Sequence, residues 1–162
     1  AEVYAVMVLQ TRGYRYANWF DIRPYNPNYT GGLTPEGPKE EYREAWDTIV
    51  KSFAPVAVFD KEYDALGPFP KPPQLRVGQA TQRTLIVYND TFADEDVTVR
   101  WAVELGGKRV AGADAALQIP LGDHTEIQIS FTPPKAGAVT LSLVSQKQGQ
   151  ECFRDTKRFV AK

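Results

Sequence analysis

Between residues 60 and 74 the hydrophobic pattern of this chain changes period at a proline-rich joint, the mark of a domain boundary. Before it, Tyr42, Ala45, Trp46, Ile49, Val50 and Phe53 fall at i, i+3, i+4, i+7, i+8 and i+11, the stripe of one amphipathic helix. After it, Val97-Thr98-Val99-Arg100-Trp101-Ala102-Val103-Glu104-Leu105 alternates as a strand does. The joint is Leu66-Gly67-Pro68-Phe69-Pro70-Lys71-Pro72-Pro73, whose four prolines suit a stiff extended spacer and neither helix nor sheet. The expected division is 1–60, an α/β segment; 61–73, a linker; and 74–162, an all-β domain.

The first segment reads as helix, strand, helix, extended stretch. Residues 1–15 are expected as a buried helix, although Val3, Val6 and Val8 favour a strand. Tyr16–Ile22 is short and aromatic, as a buried strand is, and the loop 23–38 after it carries four prolines and three glycines. Pro38 and the acidic Glu40, Glu41 and Glu44 mark the start of the striped helix, and Pro55 stops it before the extended Val56-Ala57-Val58-Phe59. One strand between two helices cannot close a core. The stripe, through Tyr42, Trp46, Ile49 and Phe53, is therefore expected to meet a partner: the remainder of a longer chain, or a second copy. The apolar run Ala1–Leu9 has no basic leader and ends at Gln10, too short to span a bilayer. It begins in mid-pattern, so the chain is expected to be a fragment.

Past the spacer, strands are expected near 74–78, 82–89, 96–105, 108–111, 117–119, 125–132, 138–145 and 150–160. Asn89-Asp90, Gly106-Gly107, Leu121-Gly122-Asp123, Pro133-Pro134 and Gln148-Gly149 supply the turns between them. Short alternating strands at such spacing describe an immunoglobulin-like or fibronectin-like β-sandwich. Trp101 stands where such folds keep a core tryptophan. Val97, Val99, Val103 and Leu105 share its face, and Ile127, Ile129 and Phe131 with Val139, Leu141 and Leu143 are expected to form the layers opposite. The fold class expected is mainly β, a sandwich preceded by an α/β segment.

Charge and rare residues narrow the chemistry. With 19 basic against 20 acidic residues the formal charge is −1, which offers no footprint for nucleic acid or an anionic membrane. A single cysteine, Cys152, and a single histidine, His124, exclude an intrachain disulfide and cysteine-rich or histidine-rich metal sites, and neither count fixes a compartment. Cys152 is expected to be a small buried or half-exposed strand residue and His124 a solvated loop residue. Asp60, Glu62 and Asp64 lack the glycine and terminal glutamate of an EF-hand loop and read as a solvated linker. No metal and no cofactor is expected.

The succession of aromatic strand, proline-rich loop, helix, Ala54-Pro55-Val56-Ala57-Val58-Phe59-Asp60-Lys61-Glu62-Tyr63 and sandwich resembles the carboxy-terminal end of retaining glycoside hydrolases of the family 2-like type. That group includes β-galactosidases, β-glucuronidases and β-mannosidases. On this resemblance, residues 1–15 are similar to the seventh helix of a (β/α)8 barrel, Tyr16–Ile22 to its eighth strand and Lys39–Phe53 to its eighth helix. Leu85-Ile86-Val87-Tyr88-Asn89-Asp90 and Val97–Trp101 resemble the opening of an accessory sandwich. The resemblance implies that both catalytic carboxylates, which retaining enzymes hold roughly 5 Å apart, would precede Ala1. No residue of this chain is then catalytic. It also implies that Trp19, Asp21, Arg23 and Tyr25, at the carboxy end of the eighth strand, face the substrate site. Trp19 would stack on a sugar ring, and the charged pair would bind hydroxyls. The plainer reading has Trp19 in the barrel core and Arg23 paired with Asp21. The rival from another class is a stand-alone sandwich that binds carbohydrate or protein, with residues 1–60 wrapped around it.

Overall fold

The computed structural model describes residues 33–34, 37–38, 53–66 and 70–162, and the chain divides into two units, 1–53 and 54–162. In the first unit β1 (Leu33–Thr34) and β2 (Gly37–Pro38) form a two-residue antiparallel ladder, with Leu33 opposite Pro38 and Thr34 opposite Gly37. The expected barrel elements, with Trp19, Asp21, Arg23, Tyr25, Tyr42, Trp46 and Ile49, lie outside the described residues. Phe53, the last residue of the expected stripe, is exposed.

The second unit is an immunoglobulin-like β-sandwich. One sheet runs β3 (Val56–Asp60), β5 (Thr81–Asn89), β8 (His124–Phe131). The other runs β4 (Gln74–Leu75), β10 (Gln150–Ala161), β9 (Gly137–Lys147), β6 (Glu95–Leu105), β7 (Lys108–Ile119). All pairings are antiparallel except β4 with β10. The three-stranded sheet takes the place of strands A, B and E of the fold, and β10-β9-β6-β7 that of G, F, C and a further edge strand. A four-residue helix, α1 (Lys61–Asp64), carries the chain away from β3, and β4 then joins the other sheet.

Period-2 alternation fills the space between the sheets. Val56 and Val58 of β3, Leu85 and Val87 of β5, and Ile129 and Phe131 of β8 are buried from one side. Val97, Val99, Val103 and Leu105 of β6, Val139, Leu141 and Leu143 of β9, and Phe153 and Phe159 of β10 are buried from the other. Each such side chain contributes about 1.5–3 kcal/mol on leaving water. Ser145 of β9 donates its hydroxyl to the Val56 carbonyl at 2.7 Å, a buried hydrogen bond between the sheets. Gly106 and Gly107, both at positive φ, close the β6–β7 hairpin in the conformation whose twist matches the strands.

Four sequence expectations need correction. Val56–Asp60 was assigned ahead of the joint, yet it pairs with β5 from Val56 opposite Asn89 to Asp60 opposite Leu85. The sandwich thus starts before the prolines, because Val56, Ala57 and Val58 bury completely where they pair with β5. Residues 108–111 and 117–119 are the ends of one strand, not two. The strand passes through a bulge at Val103/Glu104 and through Gly112, whose φ of +150° and 2.6 Å clearance to the Trp101 carbonyl admit no side chain. Val139, Leu141 and Leu143 lie beside β6 in its own sheet rather than opposite it. Trp101 shares the inward face of Val99 and Val103 but is only half-buried, and its neighbour Ala113 on β7 is exposed.

Candidate functional site

Polar side chains close the sandwich at both ends. At the base, β3 delivers Asp60 into the interior on the same face as Val56 and Val58, and the chain turns there into α1. Asp60 caps this helix, accepting from the Tyr63 N–H at 3.1 Å. It also accepts from Arg83, Nε at 3.1 Å and Nη2 at 2.5 Å, a two-pronged pair with no exposure at the carboxylate. Asp64, one turn on, accepts from the Asp60 N–H at 2.8 Å and from Lys157 Nζ. Lys157 also meets Asp155 at 2.8 Å. Both Asp155 and Lys157 sit on the inner face of β10, between Phe153 and Phe159.

The ring contacts wrap these charges. The Tyr63 ring meets Phe159 edge-on at 5.2 Å, the Arg83 guanidinium lies 5.3 Å above Phe159, and the Lys157 ammonium lies 5.3 Å from the Tyr63 ring. Glu62 stands at the rim, accepting from the Thr84 N–H at 2.9 Å and hydroxyl at 2.7 Å. Burial pushes the Asp60 and Asp64 carboxyls above the ordinary carboxylate value, against the pull of Arg83 and Lys157 respectively. For Lys157 burial acts downward, but Asp155 and Asp64 outweigh it and hold the ammonium above the usual lysine value. Burial also opposes ionisation of Glu62, and its bonds to Thr84 more than compensate. The reading of Asp60, Glu62 and Asp64 as a solvated linker is therefore overturned for the two aspartates, which are buried.

At the opposite end, buried Asn89 ties together two loops, β5–β6 and β7–β8. Its amide donates to the carbonyls of Ala93 (2.8 Å), Ile119 (2.9 Å) and Pro120 (3.2 Å), and its oxygen accepts from the Thr91 N–H and hydroxyl. Thr91 also reaches Glu95, which pairs with Lys147. Asp94 accepts from the Leu121 N–H at 2.9 Å, fixing the β7–β8 turn against this loop. The segment so fixed presents Phe92 at 99% exposure, with Leu121 also exposed. His124 opens β8, half-exposed, with its ring 5.3 Å from Tyr88. Cys152 is a free, partly buried thiol.

None of the expected substrate-facing residues, Trp19, Asp21, Arg23 and Tyr25, falls within the described residues. The base cluster was missed although its signal was present: Lys157 shares strand parity with Phe153 and Phe159, and Arg83 with Leu85 and Val87, so both cations occupy core-facing positions. Among the described residues no group of three or more metal-ligating side chains converges, and no helix is long and apolar enough to cross a membrane.

No protein-family model matches the chain, and no curated protein matches its sequence. Solved structures similar to it include a CARDB domain from Pyrococcus furiosus in complex with di-metal ions (TM-score 0.45, 12% identity, 65% of this chain and 89% of that one). An alkylpurine DNA glycosylase from Pseudomonas fluorescens aligns with TM-score 0.46 at 11% identity, over 71% of this chain and 33% of the glycosylase. A β-glucuronidase of glycoside hydrolase family 2 aligns with TM-score 0.43 at 9% identity, over 66% of this chain and 11% of the enzyme.

Proposed function

We propose that the chain is the carboxy-terminal part of a retaining glycoside hydrolase of the family 2-like type, in which residues 54–162 form a non-catalytic accessory sandwich. The observation that supports this reading is the commitment of the buried acids. Asp60 is bound to Arg83, Asp64 to Lys157 and Glu95 to Lys147, so each already holds a cation. A glycosidase pair needs one carboxyl free to give up its proton and another free to attack. The resemblance of Tyr16–Ile22 and Lys39–Phe53 to the last strand and helix of a barrel adds the parent enzyme, with Trp19, Asp21, Arg23 and Tyr25 as sugar contacts. Tyr42, Trp46, Ile49 and Phe53 would pack on the remainder of that barrel or on a second copy. The purified 162-residue chain is expected to release no nitrophenol from aryl β-galactoside, β-glucuronide or β-mannoside above background. Turnover that disappears in Asp21→Ala would place a catalytic carboxylate inside the chain and overturn the reading.

A second reading, a carbohydrate-binding module, is favoured by Phe92, an aromatic ring held in full exposure on a hydrogen-bonded loop. Retardation of the chain in native gels containing a soluble β-glucan or β-mannan, lost in Phe92→Ala with the thermal transition unchanged, is its expected mark. Equal mobility with and without polysaccharide removes it.

A further inference from the structure

The outer edge of β7 is a twelve-residue strand margin that no described strand pairs. Edge strands of this length are commonly blunted by proline, inward charge or a covering loop. In β7 such protection is confined to the first half. Lys108 and Arg109 stand at its start, Val110 is the bulged residue, and the Arg109 side chain folds back across Gly112 with Nε 3.4 Å from the Ala111 carbonyl. From Ala113 to Gln118 the strand is regular. Its one charge there, Asp114, is held by Arg100 across the β6 ladder at 3.0 Å through both oxygens.

Side-chain size and cover point the same way. Ala113, Ala115 and Leu117 lie on the inner face of the sheet, opposite Trp101, Val99 and Val97, yet Ala113 is exposed and Ala115 and Leu117 only half-buried. Together with half-buried Trp101 and Ile127 they leave apolar surface along the open side of the sandwich. Small residues at 112, 113, 115 and 116 allow another backbone to come to ladder distance.

We propose that this edge pairs with the same edge of a second copy, β7 antiparallel to β7 about a two-fold axis at Ala115, joining two five-stranded sheets into one. The sequence of the edge is self-complementary in that register. Ala115 faces its own copy, Ala113 faces Leu117, Asp114 faces Ala116 and Gly112 faces Gln118, so apolar residues meet on the inner face and no like charges oppose. Moving the axis to Asp114 would set two carboxylates opposite one another, which is destabilising. Moving it to Ala113 would bring the bulge and Arg109 into the ladder. This interface differs from the one proposed above through Tyr42–Phe53, and the experiment separates them.

In the full chain carrying Cys152→Ser, Ala115→Cys is expected to form an intermolecular disulfide under mild oxidation. A Ser130→Cys control on the edge of β8 that no described strand pairs should not. Light scattering should return a dimer mass for the unmodified chain. Ala116→Asp, which sets a carboxylate against Asp114 of the other copy twice per dimer, should raise the dimer dissociation constant about five- to tenfold, whereas Ala116→Lys should lower it. A monomer at all concentrations overturns the proposal. So does a dimer that responds equally to both charges, or cross-linking no greater than in the Ser130→Cys control; a dimer with either behaviour assigns association to another surface.

Discussion

A chain cut to residues 74–162 is expected to lose its cooperative thermal transition, while one cut to residues 54–162 keeps it. The two differ by twenty residues that a boundary drawn at the prolines would discard. Those residues carry β3, and with it Val56 and Val58, fully buried and worth about 1.5–3 kcal/mol each. They also carry Asp60 and Asp64. Without them Arg83 and Lys157 remain inside the sandwich with two of their carboxylates gone, and breaking a buried pair by removing one partner costs about 3–5 kcal/mol. Against a total stability of about 5–15 kcal/mol, these losses exceed what such a domain can sustain. Circular dichroism melts of the two truncations decide the matter, and a sharp transition in 74–162 would show that β3 and α1 are dispensable.

Asp60→Ala in the intact chain is expected to destabilise by about 3–5 kcal/mol through the stranded Arg83, with about 1 kcal/mol more from the lost helix cap. The informative comparison is the double substitution Asp60→Leu with Arg83→Met. If Arg83 without its partner is the main cost, the double variant should recover most of the loss, because apolar replacements of similar volume remove both charges at once. Urea melts of the single and double variants give the coupling directly. A double variant as unstable as Asp60→Ala would instead assign the cost to the cap and to local packing.

Apart from β7, which the sequence divides in two, the strands past the prolines are legible because they pair a clean alternation with a turn residue at the end. Gly106-Gly107 and Gln148-Gly149 both take positive φ where the sequence places turns. The first strand was not legible, because Val56-Ala57-Val58-Phe59 follows a helical pattern and precedes a proline run, and nothing local says which side it joins. Only its pairing with β5, about thirty residues away, decides that. The buried cluster escaped for a related reason. Asp60, Glu62 and Asp64 look like any acidic linker until the partners, Arg83 and Lys157, are seen to come from distant strands. Alternation places Trp101 on the inward face, but it does not say how fully a side chain on that face is covered. The residues expected to touch sugar, from Trp19 to Tyr25, lie outside the described structure and stay with the proposal.

The way the chain enters and leaves the sandwich bears on how it would carry tension. It enters beside the Asn89 loops, where the Asp90 N–H bonds the Pro55 carbonyl at 2.8 Å, and its last residue, Lys162, is tied by backbone bonds to Leu75 and Val77 at the other end. A pull on these two points acts along the strands. The β3–β5 ladder and the parallel β4–β10 contact would then be loaded in shear, with several hydrogen bonds resisting together, instead of being peeled apart one at a time. Stretched between Pro55 and Lys162, the sandwich would thus set whole ladders, and not single bonds, against the pull.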